Sequence, residues 1–140
     1  MWERRALQLS IAIAAALPVV SGLWGIVHGA SDGTRTDNHH RYLSGLLLAI
    51  GLGYWSTVPG IEAMGGRLRF LTALVVTGGF ARMLGMALGD AVTPPVIAAL
   101  VMELLVAPLL CLWQVRIVSK SRRHFPGIAR LAPHLGHIAS

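Results

Sequence analysis

Two ionisable residues of opposite sign, Arg82 and Glu103, stand inside stretches otherwise apolar enough to cross a bilayer. A charge in hydrocarbon costs roughly 2.5–3.5 kcal/mol on insertion scales, so it is retained where it is paired, hydrated or used. An arginine forks across a carboxylate through two parallel hydrogen bonds, the geometry best suited to neutralising both groups where the dielectric is low. Two readings of the pair stand side by side. It is a structural lock on helix register, or it is a site that binds a polar ligand group or handles a proton. Glu103 would supply the acid or base that an intramembrane enzyme needs.

The elements that must position this pair are read from the apolar runs. Of the 140 residues, 54% are hydrophobic and 13% charged, and the mean hydropathy of +0.63 does not fit a soluble domain with a polar surface. Runs at about 6–27, 42–58, 70–88 and 96–115 each approach the ~20 residues that a hydrocarbon core demands. The expected fold is an all-α, four-helix transmembrane bundle over residues 1–115, followed by a basic tail over 116–140. The first run is read as a span rather than a cleaved signal peptide. It continues past Ala14, Ala15 and Ala16 through Leu23 and Trp24, too long for a signal's apolar segment.

Orientation follows from the basic residues. One side carries Arg4, Arg5, Arg67, Arg69, Arg116, Lys120, Arg122, Arg123 and Arg130, the other only Arg35 and Arg41. Both termini are therefore expected in the cytoplasm, with the protein in the cytoplasmic membrane. The net charge of +6 is explained by anionic lipid headgroups, and no nucleic acid is expected as a partner. Cys111 is the single cysteine, so an intrachain disulfide is excluded.

Counting at 1.5 Å per residue places Arg82 about 9 Å and Glu103 about 10 Å below the outer end of their spans, at matching depth on antiparallel neighbours. The same level receives Arg41 and Ser44 from the second span and Ser21, Trp24 and His28 from the first. The loop above carries Asp37, His39 and His40. The expected site is an outward-facing polar pocket of Arg82, Glu103, Arg41, Ser44, His39, Asp37 and His28. Each also has a plain structural reading: Arg41 snorkels to the interface, and Trp24 and Tyr42 anchor there. Adjacent His39 and His40 diverge on a helix, and no metal site is expected. No nucleophile elbow, phosphate loop, HExxH or haem-attachment signature is present, and no cofactor is indicated.

Several small or kinked positions should shape the bundle. Gly22 and Gly25 thin one face of the first span, Gly45, Gly51 and Gly53 do so in the second, and Gly85 with Gly89 has the spacing of a GxxxG packing face. Pro18 is expected to kink the first span, and Tyr54 and Trp55 to sit in an interfacial aromatic belt.

The stretch NHHRYLSGLLLAIGLG from Asn38 to Gly53, GGFARMLGMALG from Gly78 to Gly89, then Glu103, Pro108 and LWQ at Leu112 to Gln114 resemble a bacterial family of four-span membrane proteins. It is catalogued as domain of unknown function four-three-four-five. The resemblance covers most of residues 6–116 and implies the four-span architecture. It singles out His39, Arg41, Arg82 and Glu103 and carries no activity. His40 stands where that family more often places an aromatic residue, which argues against a special role for the histidine doublet. The leading functional expectation is a small noncatalytic membrane protein, either an accessory subunit of a larger complex or homo-oligomer, or a binder of a lipid-like molecule. An intramembrane enzyme acting on a lipophilic substrate is the alternative, and a transporter comes third because four spans give little room for alternating access.

Overall fold

The computed structural model describes residues 2–29 and 36–124. Among these residues the chain forms four helices and no strand. They are α1 (Trp2–His28), α2 (Thr36–Thr57), α3 (Gly65–Ala87) and a fourth helix, α4. α4 runs through Pro94–Val101, a π-helical turn at Met102–Val106, and Ala107–His124. Each helix outruns the apolar stretch that foretold it, because helical hydrogen bonding continues into polar flanks such as Glu3 to Arg5 and Ser119 to Lys120. α1, α3 and the stretch Pro94–Lys120 of α4 are long and apolar enough to cross a membrane. α2 falls below that standard, diluted by Asp37, Asn38, His39, His40 and Arg41 at its start. The expected tail beyond His124 and the loop positions Ser31, Asp32 and Arg35 lie outside the described residues.

The helices pair as two antiparallel hairpins. On α1 the buried positions Leu7, Ile11, Ala15, Val19, Gly22 and Gly25 recur every three or four residues and form one stripe along the helix. That stripe meets α2 closely. A Cβ on Gly51 would run into Val19, and one on Gly22 would run into Leu48 and the Ser44 carbonyl. Backbones approach there because these positions lack side chains, which in hydrocarbon supplies the van der Waals contact that holds helices together. Gly45, by contrast, faces open space, so that part of the expected glycine face is not used.

The second hairpin joins α3 and α4, with Gly65 against Gln114 at one end and Gly79 against Leu104 further along. Gly85 and Gly89 do not form a packing face. Asp90 N–H donates to the Gly85 carbonyl and Gly89 N–H to the Met86 carbonyl, and Gly89 has φ +111, so the two glycines belong to a Schellman-type C-terminal cap of α3. The spacing that suggests helix packing here marks the helix end, where only glycine takes the left-handed turn cheaply.

The hairpins join at the end of the bundle that carries the start of α1 and the close of α4, here called the basal end. Leu7, Ile11, Ile61 and Leu68 are fully buried there, with Tyr54 and Leu71 beside them. Polar latches reinforce the junction: Gln8 Nε2 donates to the Val58 carbonyl at 2.6 Å and Gln114 Nε2 to the Ile61 carbonyl at 2.8 Å. The Tyr54 hydroxyl meets Thr72 Oγ1 at 3.2 Å, and Trp55 Nε1 donates to the Ala12 carbonyl at 2.9 Å. Tyr54 is thus a core residue and Trp55 is tied to α1, in place of the free interfacial belt expected of both. Buried donors and acceptors persist only when paired, so these latches fix the register of the junction. Lys120 with Glu3 and Arg4 with Glu62 add exposed ion pairs at the same end.

Toward the distal end the hairpins part. Pro94–Val101 and Met102–Val106 pack chiefly on α3, and neither contains a buried residue.

Candidate functional site

Separation of the hairpins leaves a cleft of about 510 Å³ between all four helices. This lies within the roughly 300–1,000 Å³ typical of small-molecule sites. Its floor reaches Tyr54 and Leu110 near the basal junction, and its walls are aliphatic throughout most of their length. The exceptions are Ser21 from α1 and the pair Arg82 and Glu103 from α3 and α4, since the Tyr54 hydroxyl is engaged by Thr72. Gly78, one turn below Arg82, borders the cleft with open space where a side chain would stand.

Local sequence explains how Glu103 arrives there. Pro108 has no N–H and its ring crowds the carbonyl four residues back, so the α-helical ladder cannot run through it unaltered. α4 responds with the π-helical turn Met102–Val106 just before it, in which the Ala107 N–H reaches back five residues to the Met102 carbonyl. Glu103 lies within that turn. On the facing helix Gly79 lets α4 come close, its missing Cβ being occupied by Leu104 and by the Glu103 Cβ. Arg82, three residues on and on the same helix face, then spans the gap.

The contact is bidentate. Arg82 Nε donates to Glu103 Oε2 at 3.2 Å and Arg82 Nη2 to Oε1 at 3.1 Å. Side-chain exposure is 40% for Arg82 and 18% for Glu103, so the carboxylate is the more enclosed partner and the guanidinium faces the cleft. The pair has no net charge and keeps hydrogen-bonding capacity: Nη1 has no protein partner among the described residues. Such a wall can orient one polar group of an otherwise apolar molecule.

The remaining expected site residues gather elsewhere. Arg41 Nε pairs with Asp37 Oδ2 at 3.1 Å and its Nη1 donates to the Ile26 carbonyl, so Arg41 stitches the α1–α2 tip instead of reaching free to an interface. Ser44 is buried against Gly25 and donates to the His40 carbonyl at 2.8 Å. His28 stacks on Trp24 with ring centroids 3.8 Å apart and has Nδ1 3.1 Å from the Trp24 carbonyl. His39 is exposed on α2. None of these five lines the cleft. The single polar pocket expected from all four helices is therefore two separate features, an ion pair within a greasy cleft and a polar clamp at the tip of the first hairpin. The reason is the tight α1–α2 packing, which consumes Ser44 and Arg41 in contacts within their own hairpin.

Sequence reasoning did not find the cleft walls. Residues such as Leu47, Val75, Ala98 and Met102 are indistinguishable in sequence from lipid-facing positions. Gly78 was the available signal, a small residue one turn from a buried charge. Among the described residues no group of three or more His, Cys, Asp or Glu is placed to hold a metal ion.

No curated protein and no solved structure matches the chain. The family model described as Domain of unknown function (DUF4345) matches residues 6–114, which includes both hairpins and the Arg82–Glu103 pair. The cleft and its ion pair thus lie wholly inside the matched segment, and the chain belongs to this family.

Proposed function

We propose that the protein is a noncatalytic binder of a lipid-like, amphipathic small molecule, held in the cleft with its polar group at Arg82 and Glu103 and its apolar part toward Tyr54 and Leu110. The observation that carries this reading is the cleft itself, about 510 Å³ of almost purely aliphatic wall interrupted by one charge-neutral, partly exposed ion pair. Apolar cavities with a few convergent polar groups are the usual form of small-molecule sites. The enzymatic alternative, with Glu103 as acid or base, has less support, because both carboxylate oxygens accept hydrogen bonds from Arg82 and neither is presented bare to a substrate.

In this reading all four helices cross a bacterial cytoplasmic membrane. α2 crosses by packing along α1, and the basal end with its basic residues lies on the cytoplasmic side. An accessory-subunit role is a second reading, supported by the distal half of α4, in which no residue is fully buried. The two are separated by native mass spectrometry of the intact protein, gently extracted from its own membrane, beside a Gly78→Phe variant that fills the cleft. Ligand binding requires a stoichiometric small molecule on the natural chain and its loss from the variant. A stoichiometric protein partner unaffected by the variant supports the subunit reading instead.

A further inference from the structure

We propose that the cleft selects amphiphiles with an uncharged, hydrogen-bonding headgroup, a hydroxyl or carbonyl on a single apolar chain, and rejects both anionic and cationic ones. This rests on the reading of the cleft as a ligand site and specifies its ligand. The selectivity comes from charge balance. Among the described residues Arg82 is the one cation and Glu103 the one anion on the cleft wall, and each already neutralises the other through two hydrogen bonds. Adding a carboxylate or phosphate leaves the apolar cleft with a net negative charge, adding an amine leaves it positive, and aliphatic walls offer nothing to offset either. A neutral head leaves the balance at zero.

The hydrogen-bonding inventory agrees. With Nε and Nη2 committed to Glu103, the N–H groups of Arg82 Nη1 remain as donors to a carbonyl or hydroxyl oxygen. The Ser21 hydroxyl on α1, also on the cleft wall, can donate or accept. The dimensions fit a chain that runs down from this level. Leu74, a cleft residue eight positions before Arg82 on the same helix, lies about 12 Å deeper at 1.5 Å per residue.

The test uses the protein in phosphatidylcholine nanodiscs with three photoactivatable probes that share one ten-carbon, diazirine-bearing chain, matched to that depth, and differ only in head: an alcohol, a carboxylic acid and a primary amine. Labelling is carried out at about pH 9 for the acid, where its carboxylate is ionised, and at about pH 7 for the amine, where it is protonated. Labelled peptides are mapped, and cleft positions Leu47, Val75 and Met102 are scored against the outward-facing Leu109 and Leu112. The expected result is labelling of the cleft by the alcohol about tenfold or more above either ion, with all three labelling the outward positions alike. In a Glu103→Gln variant the guanidinium loses its counter-charge, and the acid should overtake the alcohol in the cleft. Equal labelling of the cleft by alcohol and acid, or preference for either ion in the natural chain, overturns the headgroup inference while leaving the cleft as a ligand site. Absence of cleft labelling by every probe overturns both. The three-probe comparison needs only the natural chain, so it decides even if the glutamine variant fails to fold.

Discussion

Removing either member of the Arg82–Glu103 pair should cost far more than removing both. With Arg82→Leu, Glu103 loses its counter-charge on an apolar wall with 18% of its side chain exposed, and with Glu103→Leu the guanidinium is stranded in the same way. An uncompensated ion in a membrane-embedded helix costs roughly 2.5–3.5 kcal/mol, an upper figure here because 40% of the Arg82 side chain reaches the open cleft. Each single variant should therefore lose about 2 kcal/mol. The double variant replaces the pair by leucines that match their surroundings, for which the net cost is about 0–1 kcal/mol. The coupling energy is then about 3–4 kcal/mol in magnitude, well above the ~0.5 kcal/mol within which independent sites add. Reversible unfolding of the four proteins in mixed micelles, followed by far-ultraviolet circular dichroism, gives the cycle directly. Additive losses, with the double variant as unstable as the sum of the singles, would refute the reasoning that the two charges are held by each other.

Other perturbations separate packing from binding. Gly51→Leu drives a side chain into Val19 and should destabilise the first hairpin by about 1–3 kcal/mol, whereas Gly45→Ala meets open space and should be neutral or slightly stabilising in the same unfolding assay. Gly78→Leu also meets open space, so its unfolding transition should match that of the natural chain while bound amphiphile is displaced. Gln114→Leu leaves the Ile61 carbonyl without its side-chain donor and should cost about 1–3 kcal/mol, read as faster amide exchange in residues 58–64.

The legible part of this fold is the part set by local composition. Long apolar runs and flanking charges foretold an all-helical chain, and the matching depth of Arg82 and Glu103 placed them within reach, because a rise of 1.5 Å per residue is a property of any helix. Gly22, Gly25 and Gly51 were legible for a similar reason, since small residues on adjacent helices invite close backbones. What sequence could not supply is how two hairpins divide one bundle. Counting residues puts Arg41 and Ser44 at the same level as Arg82, yet whether they turn toward α3 and α4 or toward α1 depends on the rotation of α2, and periodicity alone leaves that angle open. Gly85 and Gly89 illustrate a second limit: the same spacing serves a packing face inside a helix and a cap at its end, and only the end of α3 decides between them. Tyr54, Trp55, Gln8 and Gln114 show a third, because long-range latches between side chain and carbonyl carry no spacing signature.

The most direct test of the central claim is to place a diazirine amino acid at Leu47, inside the cleft, and in a separate protein at Leu109, on the outward face, and to irradiate each in the native membrane. The adduct masses on the intact protein are then compared. An amphiphile of one defined mass at Leu47, with the mixed bulk phospholipids at Leu109, is the expected result. The same phospholipid mixture at both positions would contradict a specific ligand, and a protein adduct at Leu47 would contradict a small-molecule cleft altogether.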